Sequence, residues 1–326
     1  MTIPVDSGGA ADVLARHDVV TVLCHVRPDA DALGSSAGLA RALRGSGATV
    51  HHSFDPGVVP DALRVIPGAG QVVPLSEVPA HDGLVVTLDC ASPDRVGDWG
   101  RLAAAASEIL VVDHHGSNPG FGSHILLDPQ AASTSSLVLD VLQAGGYDVD
   151  PDVATSLYAG LVTDTGSFRW GGAGAHDTAS RLLASGAETA RLGYALLDAH
   201  PFSWLSVLGS LLGSARLEED AVGGRGIVWL AVPHHVIATV AEGEVESLVS
   251  HLRGVREACV AVLLKEYRPQ EWSVSLRSRD GGPGRGVVDV SAAATALGGG
   301  GHPAAAGCTV HGDLDSVTAR VRDLLV

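Results

Sequence analysis

Short apolar runs alternate with segments of helical periodicity through the first 170 residues. The runs occupy Val19–Cys24, Ala48–His52, Leu84–Leu88 and Ile109–Val112. Continuous apolar strands that alternate with helices are typical of a parallel sheet covered by helices on both faces. The helices predicted between and after them span Asp31–Leu43, Ser133–Leu142 and Val153–Val162. The cluster of hydroxyl residues at Ser133 is interpreted as an N-cap.

The rest of the chain shows a different order of elements. A helical stretch over His176–Ala199 is interrupted at His200-Pro201 and resumes over Trp204–Leu217. Strands, a Gly-rich turn and a helix then follow, over Ile227–Val232, Cys259–Leu264, Trp272–Arg277, 280–286 and Val288–Leu297. We therefore predict an α/β protein with a parallel-sheet domain over 1–190, a helical connector over 191–217 and a smaller α/β domain with a mixed sheet over 218–326.

Composition and charge exclude several classes of function. The chain has 21 Lys and Arg against 37 Asp and Glu, a net charge of −16, which disfavours binding to long nucleic acids. Its only lysine, Lys265, lies in Leu-Leu-Lys-Glu, so there is no Walker phosphate loop. The four cysteines form no Cys-x-x-Cys pair, and no signal peptide or membrane span is recognisable. We expect a reduced, cytoplasmic protein without a membrane partner.

Three of the apolar runs stop at a residue able to bind a metal ion. These residues are His25, Asp89 and Asp113. Ligands of open α/β sheets bind outside the carboxyl ends of the strands. We therefore expect these three side chains to converge in one crevice, although they are far apart in the sequence. For Asp89, the alternative is a salt bridge at the end of a buried strand.

Further carboxylates and imidazoles flank these positions. Asp29 and Asp31 follow His25 within six residues, although Asp31 alone could equally cap the following helix. Asp113 opens an Asp-His-His run. Most His pairs are surface or structural pairs, but this one begins at a strand end. Asp164 follows an apolar helix and could alternatively cap the end of that helix.

These side chains form a plausible ligand set for divalent cations. The oxygen and imidazole candidates are Asp29, Asp31, Asp89, Asp164, His25 and His114. Oxygen ligands with some imidazole and no thiolate favour Mn²⁺, Mg²⁺ or Fe²⁺ over structural Zn²⁺. The number of ligands suffices for two ions about 3.5–4 Å apart that share one carboxylate.

The ordered segments around His25, Asp89, Asp113-His114-His115 and Asp164 resemble the motifs of the DHH phosphoesterase superfamily. That superfamily includes RecJ-like exonucleases, family II inorganic pyrophosphatases and exopolyphosphatases. The resemblance implies two ligand sets that share Asp89, namely His25, Asp29 and Asp89 for one ion and Asp31, Asp89, His114 and Asp164 for the other. It also implies that His115 faces the phosphate and that Asp113 orients the pair of histidines.

Two segments of the C-terminal half point to an anion. Gly298–Gly301 precedes His302-Pro303, and glycines let the backbone approach an anion closely, although the alternative is a flexible linker. Arg277-Ser278 ends a strand, and Arg can bind phosphate bidentately, although an exposed strand-end Arg is the ordinary alternative. Together they resemble the DHH-associated C-terminal domain. The resemblance implies nucleotide contacts by Arg277, Ser278, Gly299, Gly300 and His302.

The pattern is most similar to the nanoRNase and pAp-phosphatase subgroup, which the segment Thr163–Arg169 also matches, with Arg169 a further candidate phosphate contact. The resemblance implies a Mn²⁺-dependent phosphoric ester hydrolase that cleaves nanoRNA, pApA or cyclic di-AMP, and 3′-phosphoadenosine 5′-phosphate. It further implies a two-metal mechanism with a bridging hydroxide and a homodimer.

Two alternatives remain. A pyrophosphatase or exopolyphosphatase of the same superfamily is disfavoured by the acidic, Lys-poor second domain. A non-catalytic nucleotide sensor would be expected to have lost ligands.

Overall fold

A computed structural model of the protein describes residues 2–169, 171–240, 242–280 and 286–325. The chain divides into two compact units, residues 1–199 and 200–326. The three-part division with a helical connector stays a prediction. The Gly-rich turn predicted over 280–286 falls, for its residues 281–285, outside the described residues.

The first unit is built on a seven-stranded parallel sheet. Its strands are β1 (Ile3–Pro4), β2 (Val19–Cys24), β3 (Thr49–Phe54), β4 (Val73–Pro74), β5 (Leu84–Leu88), β6 (Glu108–Asp113) and β7 (His124–Leu127). They lie in the order β1-β7-β6-β5-β2-β3-β4, and every neighbouring pair is parallel. The predicted parallel sheet is confirmed.

The helices predicted over Asp31–Leu43, Ser133–Leu142 and Val153–Val162 are present in this unit, together with two helices that were not predicted, Ser7–Ala15 and Gly100–Ala105. The helices of the unit are α1 (Ser7–Ala15), α2 (Ala30–Gly45), α3 (Gly100–Ala105), α4 (Thr134–Ala144), α5 (Pro151–Asp164), α6 (Gly172–Ala184) and α7 (Thr189–Gly193). The helical stretch predicted over His176–Ala199 is not continuous. Gly186, at φ +91°, follows the end of α6, and a π-helical turn over Tyr194–Asp198 follows α7.

Helices and short turns cover both faces of this sheet because successive strand residues point to opposite sides. Val22 of β2 packs in the core that α1, α2, α4 and α5 form on one face. Its neighbour Leu23 packs on the other face with Val85 and with Leu102 of α3. The predicted covering of both faces is confirmed. It leaves the ends of the strands as the part of the sheet that the helices do not cover.

Two glycines allow α2 and α5 to lie unusually close together. A Cβ atom on Gly34 of α2 would lie 2.3 Å from the carbonyl oxygen of Ser156 in α5. A Cβ atom on Gly160 would lie 2.3 Å from Oδ1 of Asp31, in the first turn of α2. The first turn of α2 is therefore held directly against the last turns of α5.

The second unit contains a six-stranded mixed sheet. Its strands are β8 (Arg216–Glu218), β9 (Ile227–Val232), β10 (Val260–Arg268), β11 (Glu271–Ser278), β12 (Gly300–His302) and β13 (Ala305–His311), in the order β12-β13-β11-β10-β9-β8. Its helices are α8 (Phe202–Gly213), α9 (Ala221–Gly224), α10 (His234–Ile237), α11 (Glu242–Leu252), α12 (Val290–Ala296) and α13 (Leu314–Leu324). Only β9 and β10 are parallel, which confirms the predicted mixed sheet.

The helix predicted over Trp204–Leu217 ends earlier than expected. Its last residue is Gly213, and Arg216–Glu218 forms the edge strand β8, antiparallel to β9. The hydrogen bonds to β9 outweigh the helical preference of these residues, so the prediction for Leu217 is wrong. Among the helices of the described residues, none is both long and apolar enough to cross a bilayer.

The α2–α5 contact predicts the effect of one glycine substitution. Gly34→Ala should lower the free energy of unfolding by about 1–3 kcal/mol, because its Cβ would meet a backbone oxygen that cannot move alone. The matched control is Gly45→Ala at the end of the same helix, where nothing lies within 4 Å of the new Cβ. It should be neutral or stabilising by up to about 1 kcal/mol in urea unfolding. Equal losses in both variants would contradict the close-packing argument.

Candidate metal centre

The carboxyl ends of three adjacent strands bring the predicted residues together. β6, β5 and β2 are neighbours in the sheet. Asp113 ends β6, Asp89 follows β5 and His25 follows β2. All three are buried. The predicted convergence of these side chains at one edge of the sheet is what the structure shows.

A first group of candidate ligands consists of His25, Asp29 and Asp89. One ligand atom from each lies within 4.8 Å of the others. The His25 Nε2 atom is 3.7 Å from Oδ2 of Asp29 and 3.5 Å from Oδ2 of Asp89. The other ring nitrogen, Nδ1, donates to the carbonyl oxygen of Val26 at 2.9 Å. That hydrogen bond fixes the ring so that Nε2 faces the carboxylates.

A second group consists of Asp31, His114 and Asp164, again with ligand atoms within 4.8 Å of one another. The His114 Nε2 atom is 3.2 Å from Oδ2 of Asp164 and 3.7 Å from Oδ1 of Asp89. Its Nδ1 atom donates to the carbonyl oxygen of Ala131 at 3.3 Å. Both histidines therefore use a backbone carbonyl to direct Nε2 towards the acidic cluster.

Asp89 lies between the two groups. Its Oδ2 atom faces His25, and its Oδ1 atom faces His114. The residue adopts φ +60°, a left-handed backbone conformation that Gly, Asn and Asp tolerate and that is costly for most other residues. Its backbone N–H still donates to Val112 at the end of the strand ladder. The turn thus directs one carboxylate so that each oxygen faces a different group.

The carboxylates of this cluster repel one another in a buried setting. Burial raises the pKa of Asp31 well above its usual range, and the charges of Asp89 and Asp164 raise it further. Burial also raises the pKa of Asp164. A divalent cation would offset this repulsion, and the oxygen and imidazole donors fit Mn²⁺, Mg²⁺ or Fe²⁺.

The two histidines respond to the same negative charge. Burial alone would lower the pKa of each imidazole. For His25, the neighbouring carboxylates of Asp29 and Asp89 outweigh burial and raise the pKa to about 10. For His114, the surrounding carboxylates, Asp164 first, likewise raise the pKa to about 10. Both shifts have the same cause, the negative charge of the carboxylates around the two rings.

Asp113 fixes the orientation of His115. The Asp113 side chain is fully buried, and its Oδ1 atom accepts a 2.7 Å hydrogen bond from Nδ1 of His115. The same oxygen accepts the backbone N–H of His114 at 2.8 Å. Its Oδ2 atom accepts from Nδ2 of Asn118 at 2.7 Å, and Asn118 also donates to the carbonyl of Cys90 at 3.1 Å. This network directs Nε2 of His115 away from Asp113.

The first turn of α2 shows that Asp31 is not the cap of this helix, which was one interpretation of the sequence. Asp29, not Asp31, caps the helix, and its Oδ1 atom accepts the backbone N–H groups of Asp31 and Ala32 at 3.0 Å. Asp31 instead accepts backbone N–H groups from Thr134 at 2.7 Å and Ser135 at 2.9 Å. The extended backbone of Asp29 decides which residue caps the helix, and Asp31 is left to contact α4.

Sequence reasoning missed the hydroxyl and amide groups behind the cluster. Ser133 caps α4 as predicted and accepts the N–H of Ser136. The additional hydroxyl of Thr134, however, donates to Oδ1 of Asp89 at 2.8 Å. Asn118 was not singled out either. The available signal was a run of four hydroxyl residues, which is more than one N-cap requires.

Arg169 follows a strained turn after α5. Gly166, Ser167 and Phe168 all have positive φ values, of 53°, 59° and 64°. The exposed Arg169 donates from Nε to the carbonyl of Gly166 at 2.6 Å. Asp164, at the end of α5, belongs to the second group of candidate ligands, whereas Arg169 lies beyond the turn. Two consecutive residues other than glycine in this conformation are typical of functional sites.

In the second unit, Arg277 and His302 occupy one row of the sheet. Both are register partners of Ala305, Arg277 from β11 on one side and His302 from β12 on the other. Directly paired residues of antiparallel strands project from the same face. Their backbones therefore lie about 10 Å apart, two strand spacings, on either side of a small residue.

The remaining candidates of this unit have different environments. Ser278 is buried, and its hydroxyl oxygen accepts the backbone N–H of Val288 at 3.0 Å. A Cβ atom on Gly299 would lie 2.1 Å from the carbonyl oxygen of Gly307, so the approach of β13 already explains that glycine. Nothing lies within 4 Å of a Cβ atom on Gly300. Of these two candidate glycines, Gly300 is therefore the one whose choice is not explained by packing against its described neighbours.

Comparison with known proteins identifies the family. The sequence profile of the DHH family, N-terminal domain, matches residues 19–161, and that of the DHHA1 domain matches residues 233–326. The bifunctional oligoribonuclease and PAP phosphatase NrnA of Thermus thermophilus is 33% identical over 320 residues, which cover 95% of this chain and 90% of the relative. The chain belongs to the DHH family. The class predicted from the sequence, a phosphoric ester hydrolase, is thereby confirmed.

Two further proteins are similar over most of the chain. The cyclic-di-AMP phosphodiesterase PdeA of Listeria monocytogenes is 26% identical over 323 residues, which cover 91% of this chain and 46% of that protein. The crystal structure of an exopolyphosphatase-related protein from Bacteroides fragilis superimposes with a TM-score of 0.84 at 23% identity, covering 98% of this chain and 95% of that one. The latter likeness supports the fold.

The Asp113 network predicts a role for Asn118 in this DHH-family hydrolase. Asn118→Ala removes a donor from Asp113 and loosens the ring of His115. We expect kcat for bis(p-nitrophenyl) phosphate to fall about 10–100-fold with little change in KM. Ser117→Ala, at the exposed neighbouring position, is the control and should keep full activity. Unchanged kcat in a folded Asn118→Ala protein would contradict this role.

Proposed function

We propose that this protein is a manganese-dependent phosphodiesterase and phosphatase of short nucleotides. The observation that carries the proposal is the position of Asp89, whose two carboxylate oxygens face two separate groups of imidazole and carboxylate ligands. Such an arrangement suits two divalent cations that share one carboxylate. Two-metal sites of this kind support in-line displacement at phosphorus.

The substrate class is proposed from the relatives. The Thermus relative is named an oligoribonuclease and PAP phosphatase, and the Listeria relative a cyclic-di-AMP phosphodiesterase. We extend this chemistry to the present chain and propose nanoRNA, pApA or cyclic di-AMP, and 3′-phosphoadenosine 5′-phosphate as substrates. The net charge of −16 is consistent with small substrates, because a long polyanion would need an extended basic surface.

The residues that would hold the cations are those of the two groups. One set is His25, Asp29 and Asp89, and the other is Asp31, Asp89, His114 and Asp164. When bound, two such cations supply a water of lowered pKa and neutralise charge on the phosphoryl oxygens. The chain contributes by holding the carboxylates in place, and the candidate groups of the described residues contain no thiolate that would favour other metals.

His115 and Arg169 are proposed to contact the phosphoryl group. His115 is fixed through Nδ1 by Asp113, so its Nε2 atom has a defined direction. The carboxylate of Asp113 also raises the pKa of His115 against the opposing effect of burial, which favours the protonated, donating form of the ring. Arg169 adds an exposed guanidinium group beyond the turn that follows Asp164.

The second unit is proposed to bind the nucleotide part of the substrate. Arg277 and His302, on either side of Ala305, provide two donors on one face. Gly300 has room for a ligand to approach its backbone. Gly299 and Ser278 complete the proposed set of nucleotide contacts. Each also has a structural role, since Gly299 packs against β13 and Ser278 accepts a hydrogen bond from Val288. The homodimer and the cytoplasmic location stay predictions.

A panel of substrates tests the proposal. Purified protein is stripped of metal, supplied with Mn²⁺ and assayed with pAp, pApA, cyclic di-AMP, an RNA trinucleotide, an RNA 24-mer and pyrophosphate. We expect turnover of the small nucleotides that EDTA abolishes, with little on the 24-mer or pyrophosphate. Turnover of pyrophosphate alone would assign the protein to another branch of the superfamily, and nucleotide binding without turnover would indicate a sensor.

Within this panel, Asp89→Asn is the sharpest variant. Asn tolerates the left-handed backbone of Asp89, so the substitution removes charge without adding strain. We expect hydrolysis to fall at least about a thousandfold while the fold is kept, because both proposed metal sites lose a shared ligand. Asp12→Asn, an equal charge change at an exposed position of α1, should have no effect. Normal turnover by Asp89→Asn would exclude the two-metal assignment.

The proposed nucleotide contacts predict a selective loss. Arg277→Gln and Gly300→Ala should each raise KM for pApA about tenfold or more, while hydrolysis of bis(p-nitrophenyl) phosphate, which lacks a nucleoside, stays unchanged. Arg268→Gln, an exposed arginine on the neighbouring strand β10, serves as the control with the same charge change. An equal effect on both substrates would mean that these residues do not recognise the nucleotide.

A further inference from the structure

Thr134 contacts two candidate metal ligands although its own helix contributes none. The residue is fully buried at the start of α4. Its backbone N–H donates to Oδ2 of Asp31 at 2.7 Å, and its hydroxyl donates to Oδ1 of Asp89 at 2.8 Å. Ser133 provides the side-chain cap of α4, so the Thr134 hydroxyl is not needed for capping. Thr134 thus joins Asp31, in the first turn of α2, to Asp89, which follows β5.

The hydrogen bonds to Asp31 are distributed unequally over its two oxygens. Oδ1 accepts the N–H of Ser135 at 2.9 Å, the hydroxyl of Ser135, and the hydroxyl of Ser35 at 3.2 Å. Oδ2 accepts only the N–H of Thr134 among the hydrogen bonds of the described residues. An sp² oxygen has two lone pairs, so Oδ1 is saturated. Oδ2 is the oxygen that keeps capacity for a further partner.

The position of α4 also has an electrostatic effect. Its first N–H groups lie against Asp31, and the start of an eleven-residue helix carries partial positive charge. That charge favours the ionised carboxylate, in opposition to the nearby Asp89 and Asp164. The absence of a side chain at Gly160 permits this approach, since a Cβ atom there would lie 2.1 Å from Oγ of Ser135.

We propose that Thr134 and Ser135 are positioning residues of the metal centre. They hold Asp31 so that its Oδ2 atom faces the proposed cation, and the Thr134 hydroxyl fixes the plane of the Asp89 carboxylate through Oδ1. This inference rests on the proposed two-metal function, because the residues act only through Asp31 and Asp89. They touch no reacting atom themselves, and their effect is expected first in the affinity for the cation.

Two substitutions at Thr134 separate positioning from simple packing. Thr134→Val keeps the shape and the backbone N–H but removes the hydroxyl that donates to Asp89. Thr134→Ser keeps the hydroxyl and loses a methyl group. A packing role predicts that the Ser variant is at least as impaired as the Val variant. A positioning role predicts that the Ser variant retains the affinity that the Val variant loses.

The experiment is a calorimetric titration of the metal-free full chain with Mn²⁺, which requires no turnover. We expect two equivalents of Mn²⁺ to bind the unaltered protein. Thr134→Val should raise the Kd of at least one site about 10–100-fold, and Thr134→Ser should stay within about threefold. Ser136→Ala is the matched control. Its hydroxyl is buried in the first turn of the same helix and contacts Ser133 instead of a candidate ligand, so the Kd of this variant should be unchanged.

The outcomes distinguish this inference from the function on which it rests. If the unaltered protein binds two Mn²⁺ ions and Thr134→Val binds them equally well, positioning by Thr134 is overturned and the metal centre stands. If the unaltered protein binds no Mn²⁺, the proposed function fails as well. Should Thr134→Val not fold, Ser135→Ala replaces it, because it removes one hydroxyl from Asp31 and keeps the backbone donor. An unchanged Kd in Ser135→Ala would then overturn the proposal.

Discussion

Buried negative charge at one edge of the parallel sheet is the constraint on which the rest of the first unit depends. Asp31, Asp89 and Asp113 are all buried there, and Asp164 lies beside them. Buried carboxylates that lie this close to one another destabilise a fold unless hydrogen-bond donors or cations surround them. In the structure, imidazole rings, helix N–H groups and hydroxyls surround these carboxylates. Each of these partners also directs a particular oxygen or nitrogen towards the cluster.

The supporting interactions are arranged as a second layer behind the candidate ligands. Backbone carbonyls orient His25 and His114, a buried carboxylate orients His115, and Asn118 in turn holds that carboxylate. The start of α4 holds Asp31. Side chains that bind metal ions need such partners to present the correct atom. Stability and chemistry are therefore difficult to separate in this region, because the same hydrogen bonds serve both.

The sequence predicted the parallel sheet and the residues at its edge because both depend on local pattern. An apolar run that stops at His25, Asp89 or Asp113 indicates a strand end, and strand ends of a parallel sheet converge. The sequence could not show which of Asp29 and Asp31 caps α2, since an Asp suits the N-cap at either position and the backbone geometry decides. It also could not show that Thr134 meets Asp89, because 45 residues separate them.

The second unit shows the same division between local and non-local information. The alternating pattern of β11 was recognisable, whereas β8 carries residues with ordinary helical preference and becomes a strand only by pairing with β9. For Gly299, close approach of β13 supplies a reason that no single segment reveals. Tertiary contacts decide short elements and individual glycines, and these were the positions where the sequence alone was least informative.

The close contact of α2 and α5 gives the two candidate ion sites different mechanical properties. Asp31 lies in the first turn of α2 and Asp164 ends α5, and Gly34 and Gly160 let these helices touch almost backbone to backbone. Their carboxylates cannot move apart without separating the helices. His25 and Asp29, by contrast, lie on a connecting turn. A ligand set that cannot expand excludes ions larger than the space between its ligands. Discrimination against Ca²⁺ would therefore belong to the site that contains Asp31 and Asp164.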